Sequence, residues 1–148
     1  MTAAVLDRTG FLIDTNVLSE ATKPRPDPGL MEWLHAVDED ELFLSVISIG
    51  EIRRGVERLP ESKRRARLTE WLSELVTARF NDRLLPVDLP VAQAWGRLRA
   101  RADAIGQNVC PMDGLIAATA ESHGLAVVTR NGKDFRALGV SSINPWEA

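Results

Sequence analysis

Five residues carry oxygen donors near the ends of apolar runs, where a side chain leaves the core and meets solvent. Asp14 directly follows the run Phe11–Ile13, and Glu51 comes a few residues after Leu42–Val46. Asp113 stands at the head of the apolar segment Met112–His123, while Asn131 and Asp134 follow Leu125–Thr129. One cysteine, Cys110, and two histidines argue against a zinc site of the Cys/His type, so a metal here would be held by oxygen. Oxygen-only ligands suit Mg²⁺ or Mn²⁺. Acids gathered without a cation raise one another's pKa, and a divalent ion relieves that repulsion. Such an ion lowers the pKa of water and stabilises a leaving phosphate oxygen. Phosphodiester hydrolysis is therefore the chemistry this donor set fits.

Each acid also has a plainer reading. Ser48-Ile49-Gly50-Glu51 fits the S-x-x-E capping box, which would place Glu51 in the first turn of a helix with a backbone-satisfying role. Asp14 can cap the helix that follows it, and Asp113 can favour the dipole of its own helix. The choice turns on whether the fold brings these segments to one rim.

The elements that must position them can be read from periodicity. Phe11–Ile13 predicts a first strand, with a helix from Thr15 ended by the prolines of residues 23–29. Leu30–Val37 repeats apolar residues at helical spacing. Leu42–Val46 predicts strand two, Ser48–Arg58 a helix closed by Pro60, and Glu61–Phe80 a longer amphipathic helix. Leu84–Val87 predicts strand three. Asp88-Leu89-Pro90 signals the start of a helix running to about Ile105. Met112–His123 predicts a helix ended by Gly124, Leu125–Thr129 a buried strand and Val140–Ile143 a fifth. Strands alternating with helices predict an α/β fold with a parallel sheet covered on both faces. In such sheets ligands bind outside the carboxyl ends of the strands, where Asp14 falls.

The 148 residues suit one domain, and 45% hydrophobic with 26% charged content describes an ordinary globular chain. Residues 1–9 show no periodicity and are expected to form a loose leader, or to reflect a start codon set too far upstream. No run approaches a membrane span or a signal peptide, so a cytoplasmic location is expected. The net charge of −3 decides nothing about nucleic acid, which depends on how charge is distributed.

FLIDTNVLSE, SVISIGEIRRGVE, MDGLIAATAESHGLAVVTRN and the closing NPW together resemble a PIN-domain ribonuclease, specifically the VapC/FitB-like toxins of toxin–antitoxin pairs. The resemblance spans nearly the whole chain in the family's order, and implies one PIN domain over 10–146. It implies a three-layer α/β fold, a parallel sheet of about five strands flanked by helices. It also implies Mg²⁺- or Mn²⁺-dependent endonucleolytic cleavage of tRNA, rRNA or mRNA. Asp14, Glu51 and Asp113 match the family's three core acids, with Asn16 and Thr129 as supporting polar residues. The fourth acid departs from the pattern of some relatives: Asn131 stands directly after the Thr-Arg pair, and Asp134 lies three residues further on. Implied partners are a second copy in a homodimer and an antitoxin, in a heterotetramer or larger complex. Operator DNA would be bound only through the antitoxin.

For RNA contact the expectation names Arg53, Arg54 and Arg130, within a basic cluster of Arg53, Arg54, Lys63, Arg64, Arg65 and Arg67. A second cluster comprises Arg97, Arg99 and Arg101. Glu57, Glu61 and Glu70 are spaced to pair with several of these, so a solvated helix face is the simpler reading for any one of them. Trp33, Trp71 and Trp95 fall on apolar faces and are expected to pack, and His123 to close its helix. Two rivals stand beside the nuclease reading. A phosphohydrolase using a strand-end aspartate nucleophile would want a second Asp at position 16, where this chain has Asn16. A PIN-like module kept only for partner binding would not need three acids.

Overall fold

The computed structural model describes residues 10–147; the expected leader, residues 1–9, lies outside them. Gly10 opens the chain's entry into the sheet. A Cβ there would lie 2.8 Å from the Glu41 carbonyl oxygen, so the position has no room for a side chain.

Five short strands form one parallel sheet: β1 (Phe11–Ile13), β2 (Leu42–Ser45), β3 (Leu84–Leu85), β4 (Ala126–Val128) and β5 (Ser142–Ile143). Their order is β3-β2-β1-β4-β5, and every pair is parallel. The chain builds outward from β1 to β3, then crosses back to lay β4 on the other side of β1. The crevice between β1 and β4 is therefore the topological switch point, the place where parallel sheets bind ligands. The register pairs Leu12 with Phe43 on one side and Val127 on the other.

Among the described residues seven α-helices cover the two faces, α1 (Thr15–Ala21), α2 (Pro28–Ala36), α3 (Val46–Glu57), α4 (Lys63–Glu74), α5 (Leu89–Ala104), α6 (Pro111–His123) and α7 (Gly132–Ala137). Alternate strand residues point to opposite faces. Leu12 and Val127 thus join Val91, Leu98, Ile116 and Phe135 in a core under α5, α6 and α7. Ile13 and Val128 join Val17, Leu30, Ile52 and Leu72 in a second core under α1 to α4. Three layers result, as expected. Trp33 and Trp71 pack against the second core and Trp95 against the first.

Several boundaries differ from the sequence reading, each for a local reason. Strand two ends at Ser45, and α3 starts at once with Ser45 as its N-cap, the Ser45 Oγ accepting from the Ile47 N–H at 3.0 Å. Ser48 and Glu51 therefore form no capping box, and Glu51 lies in the second turn of α3 rather than the first. α2 begins at Pro28 because Asp27 caps it, with Oδ2 accepting from the Leu30 N–H at 3.0 Å. The prolines thus start a helix as well as ending one. The long helix expected over Glu61–Phe80 is α4 followed by a π-helical turn, Leu75–Arg79. The wider turn lets Leu75 and Phe80 both reach the core, at 0% and 1% exposure. α7 was not expected at all, since its six residues are too few to show a period. His123 closes α6 before Gly124, whose φ of 65° provides the left-handed end.

Candidate active site

β1 ends where it does because Asp14 has two backbone tasks. Its N–H continues the ladder to the Val128 carbonyl at 2.9 Å, and its Oδ1 caps α1 by accepting from the Thr15 N–H at 2.8 Å. The carboxylate remains buried, at 5% exposure. Its second oxygen, Oδ2, accepts from Thr129 Oγ1 at 2.8 Å and from Asn16 Nδ2 at 3.3 Å. Burial lifts the Asp14 pKa, bonds from Thr129 and the Thr15 N–H pull it partly back, and the Glu51 charge lifts it further.

Thr129 is the hub of this corner. Its single proton goes to Asp14, and its oxygen accepts from Asn16 Nδ2 at 3.2 Å and the Asn131 N–H at 3.0 Å. Asn16 Oδ1 in turn accepts from the Arg130 N–H at 3.3 Å. The side chain at position 16 is thus an amide fully engaged in orientation, unsuited to the acid role that a phosphohydrolase of the rival type would need there.

Glu51 reaches the same cleft from α3. Its Oε1 accepts from Thr15 Oγ1 at 2.6 Å, with Ser48 Oγ 3.0 Å from that hydroxyl. Asp113 reaches it from the first turn of α6. A carboxylate serving only the helix dipole would be held in its charged form. Asp113 is instead pushed up to about 7, by burial first, then the Asp14 charge, a hydrogen bond with Asp134 and its charge, and Glu51. The dipole is outweighed, and the plainer reading of Asp113 does not account for its surroundings. Asp134, not Asn131, is hydrogen-bonded with Asp113. Asn131 contributes its backbone N–H to Thr129.

Asp14, Asn16, Glu51 and Asp113 line one cleft of about 420 Å³. Lys23, Glu20, Arg130 and Trp146 line it as well. Only Arg130 among the arginines named from the sequence does so. Arg53 pairs with Glu57 at 3.1 Å along the exposed side of α3, and Arg65 reaches the same Glu57 at 3.1 Å. Arg54 lies in the last turn of α3, Arg67 lines a groove beside Trp71, and Arg64 lines both that groove and an adjoining pocket shared with Thr15, Lys23 and Glu51. Arg97 faces Glu121 at 3.6 Å, and Arg99 donates to the Val109 carbonyl. Glu20 was missed although it extends the face of Asn16 along α1 at helical spacing, which was readable, and Lys23 because it lies in the turn after α1.

The donors fit a hard divalent cation: four carboxylates, no thiol or imidazole, and two of the four acids lifted first by burial and then by neighbouring negative charge. Among the described residues no three acidic, imidazole or thiol groups are already gathered around one point, and Glu51 is held by Thr15.

The PIN domain family matches residues 11–140, and the chain belongs to that family. Within it, the chain is 38% identical over 136 residues to the toxin FitB of Neisseria gonorrhoeae, covering 92% of this chain and 98% of FitB. It is 39% identical over 137 residues to the VapC ribonuclease Y4jK of Sinorhizobium fredii, covering 93% and 98%. The solved structure of FitAB bound to an IR36 DNA fragment superposes with a TM-score of 0.87 at 37% identity, covering 92% of this chain and 95% of the other.

Thr129→Val tests the hub directly. The variant keeps the side chain's shape and removes the proton given to Asp14, leaving the buried carboxylate short of a donor. Metal affinity or cleavage is expected to fall by about 10- to 100-fold, as for other supports of ligand groups. Titration calorimetry with Mn²⁺ checks it, and unchanged affinity together with unchanged cleavage would remove Thr129 from the site.

Proposed function

We propose that this chain is a Mg²⁺- or Mn²⁺-dependent endoribonuclease acting as the toxin of a toxin–antitoxin pair. The observation that carries the reading is that Asp14, Glu51 and Asp113 line one cleft at the switch point of the sheet, with Asp134 hydrogen-bonded to Asp113 behind them. Its relatives named as a toxin and a ribonuclease support it.

Asp14, Glu51 and Asp113 would hold the cation, with Asp134 in preference to Asn131 as the fourth acid. Once bound, the ion supplies positive charge to the phosphodiester and lowers the pKa of the attacking water. The chain's own residues do the rest. Thr129, Asn16 and the Thr15 N–H fix the direction of the Asp14 oxygens. Thr15 holds Glu51 facing the cleft, and Asp134 is hydrogen-bonded with Asp113.

RNA is the substrate, and the partners are an antitoxin and a second copy of the chain, with DNA bound through the antitoxin. The FitAB complex on DNA supports the protein partner and the DNA. Among the described residues no helix is long and apolar enough to cross a membrane. The test is incubation of the purified chain with mixed cellular RNA in Mg²⁺, Mn²⁺ or EDTA. Discrete fragments with either ion and none in EDTA are expected. Cleavage indifferent to EDTA would overturn the metal mechanism, and no cleavage in any condition would overturn the enzyme.

A further inference from the structure

The cleft has two unlike walls. Acids form one. The other is built from the turn after α1 and the segments after β4 and β5, which bring Lys23, Glu20, Arg130 and Trp146 together. Glu20 does not aim a free charge into the space, because Lys23 Nζ meets its Oε1 at 2.9 Å and the Asp27 N–H meets its Oε2 at 2.9 Å.

Trp146 is held firmly. Its N–H donates to Asn144 Oδ1 at 2.9 Å, and Asn144 Nδ2 reaches the Arg130 carbonyl at 3.4 Å. The segment sits against the start of α2, where a Cβ on Gly29 would lie 3.1 Å from the Pro145 carbonyl oxygen. Part of Trp146 packs on the second core, and the rest lines the cleft. The Arg130 guanidinium carbon stands 5.6 Å from the centre of that ring. Arg130 is anchored by its backbone to Asn16, two residues from Asp14 in sequence.

A guanidinium plane over an indole, beside a carboxylate cluster, has the parts a nucleotide needs. Bases stack on aromatic rings and on arginine planes, and lysine meets phosphate as a point charge. Packing alone would explain a tryptophan turned wholly to the core, but not one shared with an arginine on the cleft wall.

We propose that Arg130 and Trp146 form a stacking platform for the nucleobase beside the phosphodiester that is cut, with Lys23 meeting the adjoining phosphate. The inference rests on the endoribonuclease reading above. Stacking of this kind tolerates any base, so the platform positions the strand without reading its sequence.

The experiment uses a short single-stranded oligoribonucleotide spanning a cut site mapped with the wild type, and copies carrying one abasic residue on either side of the cut. For the wild type, one abasic copy is expected to bind about 5- to 150-fold more weakly, the range for one stacked base. Trp146→Leu is expected to lose the same factor on the intact strand and nothing further on that abasic copy. Trp146→Phe restores most of the loss. KM should rise while kcat changes little, because stacking serves bound substrate and transition state alike. Lys23→Gln is expected to reduce the slope of log affinity against log salt by about 0.7, one phosphate on a single strand.

A structural role for Trp146 would weaken every strand equally, and losses that add on the abasic copy would overturn the platform. A wild type that cuts RNA yet ignores all abasic positions overturns the platform and spares the nuclease. A wild type that neither binds nor cuts overturns both.

Discussion

Asp113→Asn is expected to yield a protein that no longer cuts RNA yet, at pH 8 in EDTA, melts at a higher temperature than the wild type. Asp113 has a folded-state pKa of about 7, above its ordinary 3.8. Between those values the folded state binds more protons than the unfolded one, so stability falls as pH rises. The contribution is fully present below about pH 4 and is lost as pH passes through 7. Asparagine is neutral throughout and removes the loss. With screening by solvent, the gain at pH 8 is on the order of 1–2 kcal/mol, a few degrees in melting temperature for a chain of this size.

Melts at pH 4 and pH 8 check this: the two proteins should lie close together at pH 4 and separate at pH 8. Mg²⁺ should then stabilise the wild type at pH 8 and the variant much less, since only the wild type keeps the full set of acids. A variant equal to or weaker than the wild type at pH 8 in EDTA would mean that burial and neighbouring negative charge do not burden Asp113.

Asp14→Asn has the largest expected effect on cleavage. The amide keeps an oxygen for the Thr15 N–H, so α1 keeps its cap. The other terminal atom becomes an NH₂ facing Thr129 Oγ1 and Asn16 Nδ2, which now donate to Asp14 at 2.8 and 3.3 Å. Donor would meet donor, and the buried negative charge would be gone. Cleavage of mixed RNA is expected to drop more than about 100-fold, beyond what loss of a supporting group costs. Circular dichroism should still show the folded chain. A folded Asp14→Asn protein that cuts as fast as the wild type would end the assignment of Asp14.

Much of this was readable from the sequence because local signals carried it. Phe11–Ile13 followed by Asp14, Asp88 before Leu89-Pro90, and Gly124 after His123 each state their structure within a few residues. The strand order could not be read. Pairing β1 with β4 depends on contacts more than a hundred residues apart, and that pairing is what brings Asp14 to Thr129. The start of α3 was misread because Ser45 and Ser48 both look like caps. Only the ladder decides: Ser45 still pairs with Leu85, so the strand ends there and the helix follows. Asn131 and Asp134 stayed undecided because α7 is too short for periodicity, and its turn is what carries Asp134 back to Asp113. Lys23 and Trp146 reach the cleft only through a turn and a closing segment.

The order of the strands also sets a clock. β1 is flanked by a strand on each side and buried between two cores, so its amide hydrogens exchange only when the whole domain opens. The Asp14 N–H, bonded to Val128, belongs to that slowest group. The segments carrying Lys23, Arg130 and Trp146 lie outside the strands, their amides bonded to the Glu20 carbonyl, Asn16 Oδ1 and Asn144 Oδ1 rather than to the ladder, and are expected to exchange sooner, through local opening. Mass spectrometry after timed exposure to heavy water should show the two sides of one cleft labelled at widely separated times. The acid that opens the cleft's floor would then be tied to the most slowly exchanging part of the domain, and the facing wall to segments held by side-chain contacts.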